Sequence, residues 1–198
     1  MIEMLEAERE ELSRLCRRLY ESGILAGSEG NVSIRGGDDR LVITPSSRHK
    51  GSLAPEDMLV TDMSGSLLEG QGRVTKEFPL HKMIYEARPD VKCIIHAHPV
   101  ACCAYAIAGR PIPEDYLLQM KEIVGSTALA PYAPAGSREL VEAVRPFAGS
   151  YNTILLQNHG LLCCGKNPED ALCRCETAEH IAQSSIWAEL LGNPRHIR

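Results

Sequence analysis

Two histidines separated by one residue, His96 and His98, close the apolar run Cys93-Ile94-Ile95, which is typical of a buried β-strand. Side chains at positions i and i+2 of a strand point to the same side, so the two imidazoles would lie together. Neutral imidazole is a common ligand of zinc and similar ions. The pair therefore indicates half of a metal site, although two hydrogen-bonded core histidines or a solvated strand end would give the same pattern.

A third imidazole comes from His159, in a predicted tight turn after an apolar strand. Such a turn is a rigid support from which a ring can project into a cleft. Three imidazoles with an open fourth position are typical of catalytic zinc, whereas a structural site is closed by four protein ligands. We expect His81, on a predicted helix, to orient or pack rather than to bind metal. The other histidines lie in a polar loop, an exposed helix and the tail, and are not expected to be ligands: His49, His180 and His196.

The elements that must position these residues follow from periodicity and turn residues. Strand-like segments come first as hairpins (26–35, 40–47, 58–62, 66–68), with Asp38 and Asp39 in the first turn. Helices are expected over 3–22, 78–86, 100–108, 137–147 and 168–191, with Thr75 capping the second and Pro146 closing the fourth. Residues 152–165 are expected to form two strands around the His159 turn. The pattern predicts one α/β layered domain over residues 1–198, with a central mixed or antiparallel sheet flanked by helices.

Composition excludes several classes of protein. A chain of 198 residues that is 44% hydrophobic suits one compact core, and a net charge of −5 with scattered Lys and Arg argues against nucleic-acid binding. An acidic N-terminus and the lack of an apolar run of roughly 20 residues argue against a signal peptide and a membrane span, so we expect a cytoplasmic protein. Most of the eight cysteines are expected to be reduced core residues rather than disulfides or a thiolate cluster.

Several motifs together resemble the class II aldolase/adducin family, which includes fuculose-1-phosphate aldolase, rhamnulose-1-phosphate aldolase and ribulose-5-phosphate 4-epimerase. The resemblance covers nearly the whole chain, and the motifs occur in the family's order. They are Gly30-Asn31-Val32-Ser33, Ile43-Thr44-Pro45-Ser46, Glu77, His96-x-His98 and Gln157-Asn158-His159-Gly160.

The resemblance implies that His96, His98 and His159 bind a divalent metal, usually Zn²⁺, with Mn²⁺ or Co²⁺ as alternatives. It also implies that Glu77 binds the metal at rest and acts as acid/base with substrate. Without the histidines, Glu77 would be interpreted as a helix N-terminal acid stabilised by the macrodipole. The implied reaction cleaves a ketose 1-phosphate, such as fuculose 1-phosphate, to dihydroxyacetone phosphate and an aldehyde through a metal-stabilised enediolate. Family members are commonly homotetramers with sites at subunit interfaces.

The resemblance also implies a site for the substrate phosphate. Its residues lie on Gly/Ser-rich turns and at a helix start, where short side chains and backbone N–H groups can surround an anion: Asn31, Ser46, Ser47, Thr75 and Lys76. The alternative is that they only form turns and caps. Many family members have a pair of serines where this chain has Thr75-Lys76. The lysine would pair with a phosphate or with a carboxylate on the substrate.

A second departure concerns tyrosine. Related aldolases carry a tyrosine near the end of the chain that assists the leaving aldehyde, but the last tyrosine here is Tyr151. Tyr116 lies close to the position of another family tyrosine and is a candidate catalytic residue. A role in the core or at an interface is the alternative for Tyr116.

Three other functions are compatible with the same residues. A sugar-phosphate 4-epimerase would cleave and rejoin the same bond, and a decarboxylase of a keto-acid phosphate would explain Lys76. A non-catalytic adducin-like scaffold is disfavoured, because all three histidines and Glu77 are present.

Overall fold

The fold is built on one eight-stranded mixed sheet, in a computed structural model that describes residues 2–37 and 39–197. The strands are β1 (Asn31–Arg35), β2 (Arg40–Ile43), β3 (Leu59–Asp62), β4 (Leu67–Glu69), β5 (Cys93–Ala97), β6 (Thr127–Ala130), β7 (Thr153–Leu156) and β8 (Gly160–Gly165). Their order is β4-β3-β2-β1-β5-β8-β7-β6. All neighbours are antiparallel except β6 and β7. The predicted layered α/β fold with a mixed sheet is confirmed.

Helices cover both faces of this sheet. They are α1 (Ile2–Glu21), α2 (Phe78–Ala87), α3 (Val100–Ala108), α4 (Arg138–Ala148) and α5 (Pro168–Leu191). The buried residues of α1, α3 and α5 pack in one apolar cluster, and those of α2 and α4 in a second. Each face of the sheet is therefore closed from water by its own helical layer.

The two central strands turn polar side chains toward α2. Along β5, Ile94 packs in the α2 and α4 cluster, and alternation places His96 on the same face. The neighbouring strand β1 pairs Asn31 with His96 and Ser33 with Ile94. The other apolar residues of these two strands pack on the opposite face: Val32, Ile34, Cys93, Ile95 and Ala97. Polar groups from two adjacent strands thus meet beneath α2.

Some local predictions were wrong. Helix α2 is capped by Glu77 rather than Thr75, whose Oγ1 accepts from the Glu77 N–H at 3.2 Å. Helix α4 continues through Pro146 to Ala148, because a proline in the last turn removes only one backbone hydrogen bond. Strand β6 was not predicted, since its small residues show no strand periodicity. Asp38, predicted in the first turn, lies outside the described residues.

All eight cysteines are free, and six of them are buried, as expected for core residues. The adjacent Cys163 and Cys164 belong to opposite apolar clusters, so they face different sides of β8. In the described part of the chain, every helix is too short or too polar to cross a bilayer.

Candidate active site

Three histidines meet where β5 ends and where the chain turns from β7 to β8. His96 lies in β5, His98 follows the end of β5, and His159 lies in the turn between β7 and β8. One ring nitrogen from each lies within 4.8 Å of the others. The structure therefore brings together the three residues that the sequence predicted as metal ligands.

The hydrogen bonds of the Nδ1 atoms of His96 and His98 determine which nitrogen of each ring is available to bind a metal. His96 Nδ1–H donates to the Leu161 carbonyl at 3.0 Å, and His98 Nδ1–H donates to Glu29 Oε2 at 3.3 Å. The Nε2 atoms of His96 and His98, which then carry lone pairs, face each other at 3.2 Å. Two facing lone pairs are favourable only with a cation or proton between them, so this pair is oriented for a metal.

The backbone at Gly160 lies close to Ala97 and to the His98 ring, and only a residue without a Cβ fits there. A Cβ on Gly160 would lie 2.5 Å from His98 Cδ2 and 2.6 Å from the Ala97 carbonyl. Asn158 adopts a left-handed conformation (φ 54°), which asparagine tolerates, and so turns the chain toward His159. Asn158 and Gly160 therefore suit the geometry of the turn that carries His159.

The Glu77 carboxylate lies against the cluster. Its Oε2 is 3.2 Å from His96 Nε2, and its Oε1 is 3.3 Å from His159 Nε2. Although Glu77 is the N-cap of α2, its side chain makes no capping hydrogen bond. Asn31 Nδ2 instead donates to Glu77 Oε2 at 2.8 Å. The carboxylate is thus directed toward the histidines rather than used to cap the helix.

Burial sets the charge of these groups. Desolvation lowers the pKa of His96 to about 4 and also lowers the pKa of His159, so both rings are neutral at pH 7. Burial acts to raise the pKa of Glu77, but His96, the Asn31 amide and His159 outweigh it and lower that pKa below its ordinary value. A single anionic carboxylate therefore lies among neutral imidazoles.

This set of donors fits a divalent cation. Neutral imidazole nitrogens and a carboxylate are the ligands that zinc and similar ions prefer. Two buried atoms at the cluster, Glu77 Oε1 and His159 Nδ1, lack a hydrogen-bond partner among the described residues. An uncompensated carboxylate oxygen in a buried site is costly unless a cation or proton neutralises it.

A cavity of about 630 Å³ opens beside the histidines, a size that suits a small-molecule ligand. Glu77, His98 and His159 line it. All five residues predicted to bind phosphate line it as well: Asn31, Ser46, Ser47, Thr75 and Lys76. The structure thus places the candidate metal site and the candidate phosphate site in one cavity.

Two cationic side chains line the same cavity. Arg73 and Lys76 are exposed there, and neither forms an ion pair within residues 2–37 and 39–197. The stem of Lys76 packs on Gly136, where a Cβ would lie 2.7 Å from Lys76 Cγ. Sequence analysis did not predict Arg73 as a site residue, although a second cation three residues before Lys76 was a signal for anion binding. The cavity therefore offers positive charge to an anionic ligand.

The Asn31 side chain is already engaged. Its Nδ2 donates to Glu77, and its Oδ1 accepts from His81 Nε2 at 2.6 Å. His81 is in turn hydrogen-bonded to the Ser33 hydroxyl, which is hydrogen-bonded to the Tyr85 hydroxyl. Ser33 and Tyr85 were missed as site residues, although the spacings Asn31-x-Ser33 and Glu77-x₃-His81-x₃-Tyr85 place each set on one face of its element. The expectation that His81 orients rather than binds metal agrees with these contacts.

Tyr116 lies apart from the cavity in this chain. Its ring packs on His196, with centroids 5.0 Å apart, and lines a small separate cavity beside α5. The structure does not bring Tyr116 to the three histidines, and its catalytic role stays a prediction.

Comparison with known proteins agrees with the geometry. The family model for the class II aldolase and adducin N-terminal domain matches residues 10–186. The L-fuculose phosphate aldolase of Methanococcus maripaludis (strain C7) is 34% identical over 170 residues, covering 86% of this chain and 91% of the relative. A solved L-fuculose 1-phosphate aldolase superposes with a TM-score of 0.89 at 28% identity, covering 97% of this chain and 91% of the other. YgbL of Klebsiella pneumoniae, described as a candidate aldolase, epimerase or decarboxylase, gives a TM-score of 0.88 at 26% identity, covering 98% and 93%.

Proposed function

The chain belongs to the class II aldolase and adducin family, and on this premise we propose that it is a metal-dependent aldolase acting on a ketose 1-phosphate. The products would be dihydroxyacetone phosphate and an aldehyde, as for fuculose 1-phosphate. The observation that carries the proposal is the three-histidine cluster with Glu77, in one cavity with the candidate phosphate residues. The similarity to L-fuculose phosphate aldolases supports this class of substrate.

His96, His98 and His159 would hold the divalent ion, Zn²⁺ being our first choice. When bound, the ion supplies positive charge that polarises the ketose carbonyl. The remaining chemistry is proton transfer. As the C3–C4 bond breaks, the C4 hydroxyl loses a proton, and C3 of the resulting enediolate must gain one.

Glu77 is suited to this proton exchange. It is the carboxylate that lines the cavity in the described residues, and its Oε1 is without a hydrogen bond there. A carboxylate placed beside the reacting carbon can act as general base and then as general acid. We assign the acid/base role to Glu77.

The phosphate would be held by lining residues of the same cavity. Ser46, Ser47 and Thr75 provide hydroxyl groups, and Lys76 provides positive charge at the start of α2, where the helix dipole also favours an anion. Binding through the phosphate positions the carbonyl end near the histidines.

A decarboxylase is the second candidate. Arg73 and Lys76 offer two positive charges without an ion pair among the described residues, and one of them would suit a carboxylate on a keto-acid phosphate. The similarity to YgbL is compatible with this choice and with an epimerase. A non-catalytic scaffold has no use for a buried carboxylate beside three oriented imidazoles.

We also propose that the enzyme assembles as a homotetramer. Helix α3 exposes Val100 and Ile107, and α5 exposes Trp187, Leu190 and Leu191, and a second copy of the chain would cover such large apolar side chains. Val100 lies two residues after His98, so a second copy on this face would adjoin the active site. The cytoplasmic location expected from the sequence stays a prediction.

Metal analysis followed by product analysis tests the function. The purified protein, loaded with Zn²⁺, Mn²⁺ or Co²⁺, is given ketose 1-phosphates and keto-acid phosphates while aldehyde, isomer and carbon dioxide are measured. Aldehyde with dihydroxyacetone phosphate supports the aldolase, whereas carbon dioxide or an isomer as the only product replaces it with the decarboxylase or epimerase. Stoichiometric metal with no turnover of any of these substrates would overturn all three.

A further inference from the structure

Behind the Glu77 carboxylate, a chain of polar side chains runs into the core. Its members are Asn31, His81, Ser33 and Tyr85, and each is at most 5% exposed. Asn31 and Ser33 lie on β1, whereas His81 and Tyr85 lie on α2, four and eight residues after Glu77. The strand spacing of two and the helix spacing of four bring the two sets face to face.

The contacts are continuous. Asn31 Nδ2 lies 2.8 Å from Glu77 Oε2, and Asn31 Oδ1 lies 2.6 Å from His81 Nε2. His81 Nδ1 lies 2.7 Å from Ser33 Oγ, which is 2.9 Å from the Tyr85 hydroxyl. The hydroxyl of Tyr85 also lies 3.0 Å from the Ser33 carbonyl. Every link is within normal hydrogen-bond distance.

The carboxylate fixes the direction of the hydrogen bonds from Asn31 to Ser33. Because an ionised Glu77 only accepts, Asn31 must present its NH₂ group to it and its carbonyl oxygen to His81. His81 must then carry its proton on Nε2, which leaves Nδ1 to accept from Ser33 Oγ–H. The single Tyr85 O–H is then shared between the Ser33 carbonyl, 3.0 Å away, and Ser33 Oγ, 2.9 Å away. Burial lowers the pKa of His81 to about 3, so the ring keeps this single proton at neutral pH.

We infer that this chain positions Glu77, holding Oε2 in place as an acceptor and leaving Oε1 as the oxygen that exchanges protons with the substrate. Oε1 faces His159 Nε2 and has no hydrogen-bond partner among the residues described, whereas Oε2 is held by Asn31. The inference rests on the proposed function, because it takes Glu77 to be the acid/base. His81, Ser33 and Tyr85 touch neither cavity nor cluster, so they are positioning residues.

A purely structural purpose does not explain the chain. Apolar side chains of similar shape would fill the same space between β1 and α2 without burying four polar side chains. The chain has one end at Glu77 and the other at Tyr85, whose ring packs against the Arg35 guanidinium at 4.8 Å. A polar network in which every member is hydrogen-bonded holds its members in one arrangement. A general base requires such a fixed position relative to its substrate.

The test combines kinetics with a spectroscopic measurement on the metal-loaded protein. His81→Leu removes the donor to Asn31, and we expect kcat to fall by about 10–100-fold with KM unchanged. His81→Gln keeps an N–H group facing Asn31 and is expected to restore most of kcat. Tyr85→Phe, which preserves the ring, is expected to lower kcat by a smaller factor. The matched control Tyr151→Phe removes a hydroxyl from the same apolar layer and should leave kcat unchanged.

Nitrogen-15 NMR of labelled histidine reads the direction of the chain without any turnover. The signal that His81→Gln abolishes should be that of a neutral ring protonated on Nε2. A proton on Nδ1 would overturn the inference, and so would equal kcat losses in His81→Leu and His81→Gln. If His81→Leu does not fold, Tyr85→Phe decides, since wild-type kcat there would also overturn it. A wild-type protein with the expected tautomer but no turnover of any sugar phosphate would instead count against the proposed function.

Discussion

Glu77 Oε1 lies 3.3 Å from His159 Nε2. This contact joins the N-cap residue of α2 to the turn between β7 and β8. The other carboxylate oxygen is occupied by the Asn31 amide. Both oxygens of Glu77 thus face the histidines, but Oε2 is also held by the Asn31 amide, whereas Oε1 has no hydrogen bond among the described residues. The role of Glu77 in proton transfer can therefore be tested separately from the role of the histidines in metal binding.

Glu77→Gln is expected to retain bound metal but to lower kcat by about 10²–10⁴-fold, because the amide keeps the shape of the side chain and cannot exchange the proton. Metal content and steady-state kinetics check both parts. Glu86→Gln, on the exposed side of the same helix, is the control and should have wild-type kcat. Near-normal turnover in Glu77→Gln would assign the acid/base role to another group.

His96→Ala is expected to abolish both metal binding and activity. Its ring is fully buried and its Nδ1 is held by the Leu161 carbonyl, so no neighbouring side chain can replace its Nε2. Metal content after dialysis is the measurement, with His180→Ala as the control. Stoichiometric zinc retained in His96→Ala would contradict the three-histidine site.

Gly160→Ala tests whether the close approach at the turn is needed for the metal. A Cβ there would lie 2.5 Å from His98 Cδ2, so His98 must move, and we expect metal affinity to fall by about 10–100-fold. Gly149→Ala is the matched control, because its Cβ would meet no atom within 4 Å. Metal titration of both variants decides, and equal affinities would show that His98 tolerates the displacement.

The histidine cluster and the layered sheet could be predicted because they rest on strong local signals. His96 and His98 end an apolar strand at a spacing of two, and His159 lies in a turn marked by asparagine and glycine. These patterns depend only on neighbouring residues. The family resemblance then supplied what spacing alone could not, which is that the distant His159 joins the pair.

The parts that escaped prediction depend on contacts between distant elements. That Ser33 and Tyr85 share a hydrogen bond follows from the packing of α2 on β1, which no local pattern specifies. The cap of α2 was assigned to Thr75 because threonine is a better N-cap than glutamate, yet Glu77 takes this position while its carboxylate serves the cluster. Local preference was thus overridden at the functional site, as expected where chemistry sets the residue.

Lys76→Ser is expected to raise KM for a phosphorylated substrate by about 10-fold, or about 1.4 kcal/mol of binding free energy, with a smaller change in kcat. The lysine is a positive charge in the lining of the cavity, so its loss weakens the binding of an anionic substrate. Lys166→Ser removes an exposed lysine outside the cavity and is the control. Unchanged KM would make Lys76 a solvated residue at the start of α2. A larger effect on a keto-acid phosphate than on a ketose 1-phosphate would favour the decarboxylase.

The neutral, buried His81 should make the protein less stable in acid. Its pKa is about 3 when folded against an ordinary value of 6.5, so the unfolded chain binds the extra proton between these pH values. The contribution of His81 to the free energy of unfolding is therefore complete above pH 6.5 and decreases as pH falls toward 3, by up to about 1.4 kcal/mol per pH unit. Urea unfolding from pH 7 to pH 4, in the presence of a chelator, measures the slope. His81→Gln should remove this part of it, whereas His180→Gln should not, and identical slopes in His81→Gln and wild type would mean that His81 is protonated in the folded protein.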